Sequence, residues 1–357
     1  MGKSIVPGRA QQLQFLRFVA FLMIFFWHAQ AWLPAWDLRQ NTATSMVSFF
    51  FVLSGVVKGF SSLEKEQTLT LKSYCRNYLK RLFKVYPLYA VTMLAMVYVS
   101  KFPVYLAEEN FGALKSMLTQ LGKNMLLIQS WFDTQYFSFN GVGWFLSTLM
   151  FLFLFTDPAV YVFKTIYSKK RGILFLGLLL LGIFVAGVTY NYSVHTLNQQ
   201  FWAYVFPPAR LCEYLGGIIV GMLAKKASQR EKNTALFTML EALALVLWGA
   251  VLFIPLDTFG TRIANWLIPN FLGLFIFAIG GGCFSKIFST KPLVALGDIS
   301  FECFLIHQVV LMGYTAAVPV ASYNVFTKLF SLGFCLCGTL VLSFAANRAL
   351  QKKQVGK

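Results

Sequence analysis

The chain has 357 residues, of which 57% are hydrophobic and only 12% are charged, and its mean hydropathy is +0.64. A soluble domain carries about 25% charged residues, so these values exclude an ordinary soluble protein and predict a polytopic membrane protein. The formal net charge of +18 does not indicate nucleic-acid binding, because no basic stripe interleaved with aromatic residues lies apart from the hydrophobic runs.

Ten hydrophobic segments predict membrane spans. About 20 predominantly apolar residues are needed to cross a hydrocarbon core of roughly 30 Å. A further segment at 113–131 is amphipathic and is expected to lie at a membrane surface or to pack on the bundle. The six cysteines have no paired spacing that predicts a disulfide framework, and no metal site is expected. We place the ten spans at residues 13–33, 44–61, 82–100, 143–164, 172–190, 202–224, 235–254, 266–288, 295–317 and 325–346.

The distribution of cations predicts which ends of the spans face the cytoplasm. With a cytoplasmic N-terminus, 23 of the 31 Lys and Arg residues fall on the cytoplasmic side and six fall outside. This excess follows the positive-inside rule and places both termini in the cytoplasm. We therefore expect an all-α, polytopic integral membrane helical bundle of about ten transmembrane helices. Residues 1–347 are predicted to form one transmembrane domain, followed by a basic cytoplasmic tail at 348–357.

The first span contains two residues that a membrane helix normally excludes. Arg17 and His28 are eleven positions apart, which on an α-helix is about 20° from three full turns and about 16 Å along the axis. Taken singly, Arg17 can snorkel to lipid phosphates and His28 can be a satisfied interior histidine. Their position on one face favours a long ligand that enters from the cytoplasm and touches both.

A basic cluster lies at the start of the third span, in YCRNYLKRLFKVYPLY at 74–89. Arg81 and Lys84 are one helical turn apart and share a face, where they could hold a phosphorylated group together with the neighbouring Lys80. Ordinary positive-inside flanking is the competing explanation and needs no ligand.

Other polar residues near the spans are candidates of lower rank. Arg210 and Glu213 lie one turn apart in the sixth span; they either neutralise each other, or Arg210 binds substrate and Glu213 orients His28. Trp144 and Ser147 share a face at the outer end of the fourth span, where they line an acceptor entrance or the Trp serves only as an interfacial anchor.

Several further positions complete the sequence predictions. Asp37, just outside the first span, is an alternative partner for His28. Gly55 and Gly59 have the spacing that lets two helices approach closely. Structural roles are expected for the polar residues of the ninth span, and a helix kink is expected at a proline in the fourth; these residues are Asp298, Glu302 and His307, and Asp157 with Pro158.

Six motifs, in this order, resemble the membrane acyltransferase-3 family of bacteria. They are the Arg, ten residues and His of the first span, FFFVLSG (49–55), RLFKVYPLY (81–89), WFLS (144–147), RLCEYLGG (210–217) and LGDISFECFLIH (296–307). The resemblance implies a ten-helix O-acyltransferase that moves an acyl group, usually acetyl, from cytoplasmic acyl-CoA to an extracytoplasmic carbohydrate.

The resemblance also implies roles for individual residues. His28 matches the catalytic histidine and Arg17 the arginine before it, while Arg81 and Lys84 match the pair thought to hold the phosphates of coenzyme A. Lys84 stands where Arg is typical, which removes bidentate phosphate recognition. Many members carry a glutamate shortly after the WFLS motif, where this chain has Thr148 and Leu149, so the carboxylate partner of His28 is left open.

These inferences predict a multi-pass enzyme of the bacterial plasma membrane. Its co-substrate is acetyl-CoA or another acyl-CoA, its acceptor is a glycan or lipid-linked sugar, and it needs no metal. His28 acts either as a general base or as a transient acyl carrier. The alternative function is a membrane transporter that uses the buried Arg, His and Glu side chains as a substrate or proton path.

Overall fold

The computed structural model describes residues 10–33, 41–64, 69–100, 111–253, 259–318 and 324–355. Within these ranges the chain is helical and has no β-strand, which confirms the all-α class. The helices are α1 (Gln12–His28), α2 (Asn41–Ser62), α3 (Leu71–Ser100), α4 (Phe111–Met125), α5 (Gly143–Leu154), α6 (Thr156–Tyr167), α7 (Gly172–Ser193), α8 (Leu211–Ser228), α9 (Thr234–Phe253), α10 (Phe259–Ile279), α11 (Cys283–Phe288), α12 (Lys291–Asp298), α13 (Ser300–Ala317) and α14 (Val325–Val355).

Among the described residues, five helices are long and apolar enough to cross a membrane: α2, α3, α7, α9 and α14. Two bent pairs raise the number to seven if each pair forms one span; α5 and α6 meet at 45°, and α12 and α13 meet at 56°. The apolar part of α10 and the whole of α1 are shorter. The protein is therefore a multi-pass membrane protein, whereas the count of ten spans and the cytoplasmic position of both termini stay predictions.

The predicted eighth span at 266–288 has the wrong boundaries. Helix α10 ends at Ile279, and Gly280 follows with φ of 67°, a left-handed conformation that glycine adopts without steric cost. The chain then starts the separate short helix α11. Glu241 of α9 holds this helix start, since its buried carboxylate accepts hydrogen bonds from the backbone N–H groups of Gly282 (2.9 Å) and Ser285 (3.1 Å).

Helices α2 and α8 pack with their backbones in contact. A Cβ atom at Gly59 would lie 1.9 Å from the carbonyl oxygen of Ile218, and one at Gly221 would lie 2.1 Å from that of Val56. Only glycine leaves room for so close an approach, which lets van der Waals contact hold two membrane helices together. This arrangement confirms that the glycine spacing in the second span serves helix packing.

The predicted sixth span at 202–224 is not one continuous α-helix. Residues Gln200–Val205 form a π-helical turn, Pro207–Arg210 form a 3₁₀ turn, and α8 begins only at Leu211. The two prolines at 207 and 208 lack the backbone N–H that a regular helix needs, so the helix restarts after them. The break leaves Arg210 fully buried at the start of α8.

Candidate active site

Helix α1 carries the first two predicted site residues. It runs without interruption from Gln12 to His28, so the helical spacing that separates Arg17 from His28 by about 16 Å applies along its length. His28 is the last helical residue and is half-buried. The Arg17 side chain donates a hydrogen bond of 3.1 Å to Oε1 of Gln14 one turn earlier.

His28 is paired with a second histidine. His307 in α13 is fully buried, and its Nε2 lies 3.1 Å from Nδ1 of His28. Each ring also contacts the backbone of its own helix. Nδ1 of His28 lies 3.0 Å from the carbonyl oxygen of Ile24, and Nδ1 of His307 lies 3.2 Å from that of Cys303.

The two carbonyl contacts determine the tautomers of this histidine pair. A carbonyl oxygen only accepts hydrogen bonds, so each Nδ1 must carry a hydrogen. Neutral His307 then has a lone pair at Nε2, which shares the single Nδ1–H of His28 with the Ile24 carbonyl oxygen. Neutral His28 in turn keeps its own lone pair at Nε2. An imidazole with an unprotonated Nε2, held in place through Nδ1, is the form that a general base requires.

The sequence predicts only a structural role for His307 and does not indicate its contact with His28. The two histidines are 279 positions apart, and the signals in the sequence were a second imidazole inside an apolar span and its place at the end of the motif LGDISFECFLIH. Within the part of the chain that the structure describes, no group of three His, Cys, Asp or Glu side chains is arranged to hold a metal ion.

Glu213, one of the two carboxylates proposed as a partner of His28, lies elsewhere. Glu213 accepts a hydrogen bond of 2.5 Å from the hydroxyl of Ser48, and its Oε1 lies 3.3 Å from Nη1 of Arg210. Asp37 lies outside the described residues. Across the described ranges, no carboxylate forms a hydrogen bond to either ring of the histidine pair. A histidine therefore occupies the position where a carboxylate was expected.

Arg210 and Glu213 form a fully buried ion pair, the arrangement in which the two charges neutralise each other. The guanidinium lies between two aromatic rings, 5.0 Å from the centroid of Phe51 and 5.5 Å from that of Tyr204, where cation–π attraction adds to the ion pair. These contacts place Arg210 inside the bundle core.

Trp144 and Ser147 are both buried in α5. The Ser147 hydroxyl donates a hydrogen bond of 2.6 Å to the carbonyl oxygen of Leu127. The centroids of the Trp144 and Tyr204 rings are 4.7 Å apart. The pair therefore attaches α5 to the segment after α4 and to the π-helical turn. Their place at an acceptor entrance stays a prediction.

Arg81 is held by a carboxylate that the sequence analysis treated only as part of a kink. Its Nη2 lies 2.5 Å from Oδ1 of Asp157, which also accepts a hydrogen bond of 3.0 Å from Asn77 and lies 3.7 Å from Nζ of Lys58. Asp157 is 1% exposed. The predicted bend is present, at 45° between α5 and α6, and the ion pair joins α3 to it.

Two other predicted phosphate-binding residues, Lys84 and Arg17, lie within electrostatic range of Glu302 of α13. The Glu302 carboxylate is buried and accepts a hydrogen bond of 2.7 Å from Asn347 of α14. Lys84 and Lys80 are exposed to solvent. The guanidinium of Arg81, also in α3, is bound to Asp157.

Comparison with known proteins identifies the family. A family model described as an acyltransferase domain, that of acyltransferase-3, matches residues 11–348. The chain belongs to the acyltransferase-3 family. Acyltransferase MdmB of Streptomyces mycarofaciens is 28% identical over 325 residues, which cover 85% of this chain and 79% of that protein. Nose resistant to fluoxetine protein 6 of Caenorhabditis elegans is 23% identical over 327 residues, which cover 76% of this chain and 39% of that protein. No solved structure matches.

Membership in the acyltransferase-3 family supports an acyl-transferring membrane enzyme over the transporter alternative. The match spans α1 through most of α14 and so includes both members of the histidine pair. The predicted family resemblance is therefore confirmed.

Proposed function

We propose that this acyltransferase-3 protein moves an acyl group, in the simplest case acetyl, from cytoplasmic acyl-CoA to a hydroxyl of an extracytoplasmic or cell-surface carbohydrate in a bacterial plasma membrane. The observation that carries the proposal is the contact between His28 and His307, in which two backbone carbonyls fix hydrogens on both Nδ1 atoms. This leaves Nε2 of His28 as a base.

His28 acts in both halves of the transfer. Its Nε2 removes the proton of the acceptor hydroxyl as the hydroxyl oxygen bonds to the thioester carbonyl carbon. When the carbon–sulfur bond breaks, the same nitrogen returns the proton to the sulfur of coenzyme A. A transient acyl group on Nε2 is the second route, and it uses the same unprotonated nitrogen as nucleophile.

The cations of α1 and α3 suit the phosphate-rich head of coenzyme A. Arg17, Lys84 and Lys80 are proposed to contact its phosphates, because Arg and Lys are the side chains that recognise phosphate groups. The distance of about 16 Å between Arg17 and His28 along α1 then lets the long pantetheine arm carry the thioester to the base. Arg81 contributes less directly, by holding α3 against Asp157.

Surface-glycan ester content tests this function in cells that produce the protein. Cells with the wild-type protein are expected to carry acetyl esters on a glycan or lipid-linked sugar, and cells with His28→Ala are expected to lack them, as measured by mass spectrometry. His195→Ala is the matched control, because His195 is an exposed histidine in the turn after α7. Unchanged ester content in the His28→Ala cells would contradict the proposal.

A further inference from the structure

His307 has three properties that an orienting residue does not need. It is completely buried, it is itself a titratable group, and it accepts through the one nitrogen that could take up a proton. Its other nitrogen is anchored to the carbonyl oxygen of Cys303. Three nitrogens therefore form a path: Nε2 and Nδ1 of the His28 ring, and Nε2 of His307, which is hydrogen-bonded to that Nδ1.

Aromatic rings surround the inner end of this path. The centroids of three phenylalanine rings lie 5.8 to 6.3 Å from the centroid of the His307 imidazole. They belong to Phe21, whose ring is edge-on to the imidazole, and to Phe25 and Phe304, whose rings are tilted to it. Among the described residues no carboxylate forms a hydrogen bond to His307, whose polar contacts are Nδ1 of His28 and the carbonyl oxygen of Cys303.

We propose that His307 shares the catalytic proton with His28. When Nε2 of His28 takes the proton of the acceptor hydroxyl, the proton on Nδ1 of His28 moves to Nε2 of His307. The positive charge then lies on His307, and His28 is neutral again. This inference rests on the proposed function and extends it, since it adds a second residue to the proton transfer.

The bonds broken and formed in this proton transfer balance, and the transfer is reversed before the turnover ends. The hydroxyl O–H bond and the Nδ1–H bond of His28 break, while an N–H bond forms at Nε2 of each histidine. When coenzyme A leaves as a thiolate, the proton on His307 returns to Nδ1 of His28 and the proton on Nε2 of His28 passes to sulfur. The net change is transfer of one proton from the acceptor hydroxyl to the thiol, so no further reactant is required.

His307→Gln separates proton sharing from simple orientation. A glutamine can accept from the Nδ1–H of His28 through its carbonyl oxygen and donate to Cys303 through its amide, but it cannot take up a proton. If His307 only orients His28, this variant should be fully active. If His307 shares the proton, kcat should fall by about 10- to 100-fold while KM for acetyl-CoA stays unchanged.

The assay uses open membrane fragments from cells that produce the protein and contain the native acceptor. Acetyl-CoA is added, and the His28-dependent release of coenzyme A is measured. The dependence of kcat on the fraction of D₂O in the solvent should indicate that two protons move in the transition state of the wild-type protein. For His307→Gln the same curve should indicate one proton. Nitrogen-15 NMR should still find the hydrogen on Nδ1 of His28 in this variant.

Two results would overturn the inference. One is a His307→Gln protein with wild-type kcat and a wild-type solvent isotope curve. The other is a wild-type curve that reports a single proton, which requires no variant and so does not depend on whether the variant folds. Failure of the proposed function gives a different pattern, in which the wild-type fragments release no coenzyme A in a His28-dependent way.

Discussion

Replacing Gly59 with alanine should destabilise the bundle through the contact between α2 and α8. The new Cβ would lie 1.9 Å from the carbonyl oxygen of Ile218, whereas ordinary contact requires at least 3.4 Å. The two helices must therefore separate by about 1.5 Å at this point, and a gap of 0.5 to 1 Å already removes a quarter to half of the dispersion attraction. Insertions into a packed core cost about 1–3 kcal/mol, and we expect the upper end, about 3 kcal/mol.

The free energy of unfolding in mixed detergent and SDS micelles, followed by tryptophan fluorescence, measures this loss. Gly182→Ala in α7 is the matched control, because a Cβ atom there meets no atom within 4 Å. The control should be as stable as the wild-type protein or slightly more stable, since alanine favours a helix by up to about 1 kcal/mol over glycine. If Gly59→Ala were as stable as Gly182→Ala, the argument for backbone contact between α2 and α8 would be refuted.

Three further changes test the ion pairs and the basic cluster. Glu213→Ala leaves the guanidinium of Arg210 buried without its carboxylate and should lower the free energy of unfolding by about 3–5 kcal/mol; wild-type stability in the same SDS titration would contradict the buried pair. Asp157→Asn should destabilise by about 1–3 kcal/mol because Arg81 loses a charged acceptor, and an unshifted unfolding midpoint would count against that role. Lys80→Ala should raise KM for acetyl-CoA about two- to fivefold with kcat and stability unchanged, as expected for an exposed charge; an unchanged KM would remove Lys80 from the coenzyme A site.

Local helix geometry made part of the site predictable. The alignment of Arg17 and His28 follows from their spacing on one helix, and α1 is unbroken over that length. The glycine spacing in the second span likewise predicted a close helix contact. In both cases the relevant distances are set within one segment, where 3.6 residues per turn apply. The sequence did not indicate that α8 would be the partner of α2.

The histidine pair could not be predicted because it depends on how distant helices pack. His28 and His307 approach only when α13 lies against α1, and no local pattern encodes that contact. The ion pair between Arg81 and Asp157 has the same origin, since it joins residues 76 positions apart. The sequence therefore suggests a carboxylate as the partner of His28, whereas the side chain that contacts its Nδ1 is another imidazole.

Mean hydropathy also does not reveal the helix breaks in three predicted spans. A window of about 20 residues averages over Pro207 and Pro208, although these prolines mark the start of α8. Gly280 similarly ends α10 inside a segment that is apolar throughout. The 56° bend between α12 and α13 directly follows Gly297, a single glycine that the same window also averages over.

Transfer of labelled acetyl from acetyl-CoA tests the central claim most directly. Open membrane fragments that contain the wild-type protein should move the label into a carbohydrate fraction and release coenzyme A in equal amount. Fragments with His28→Ala, at the same protein level, should do neither, while His195→Ala should behave as wild type. Label transfer by His28→Ala at the wild-type rate would contradict the assignment of His28 as the base.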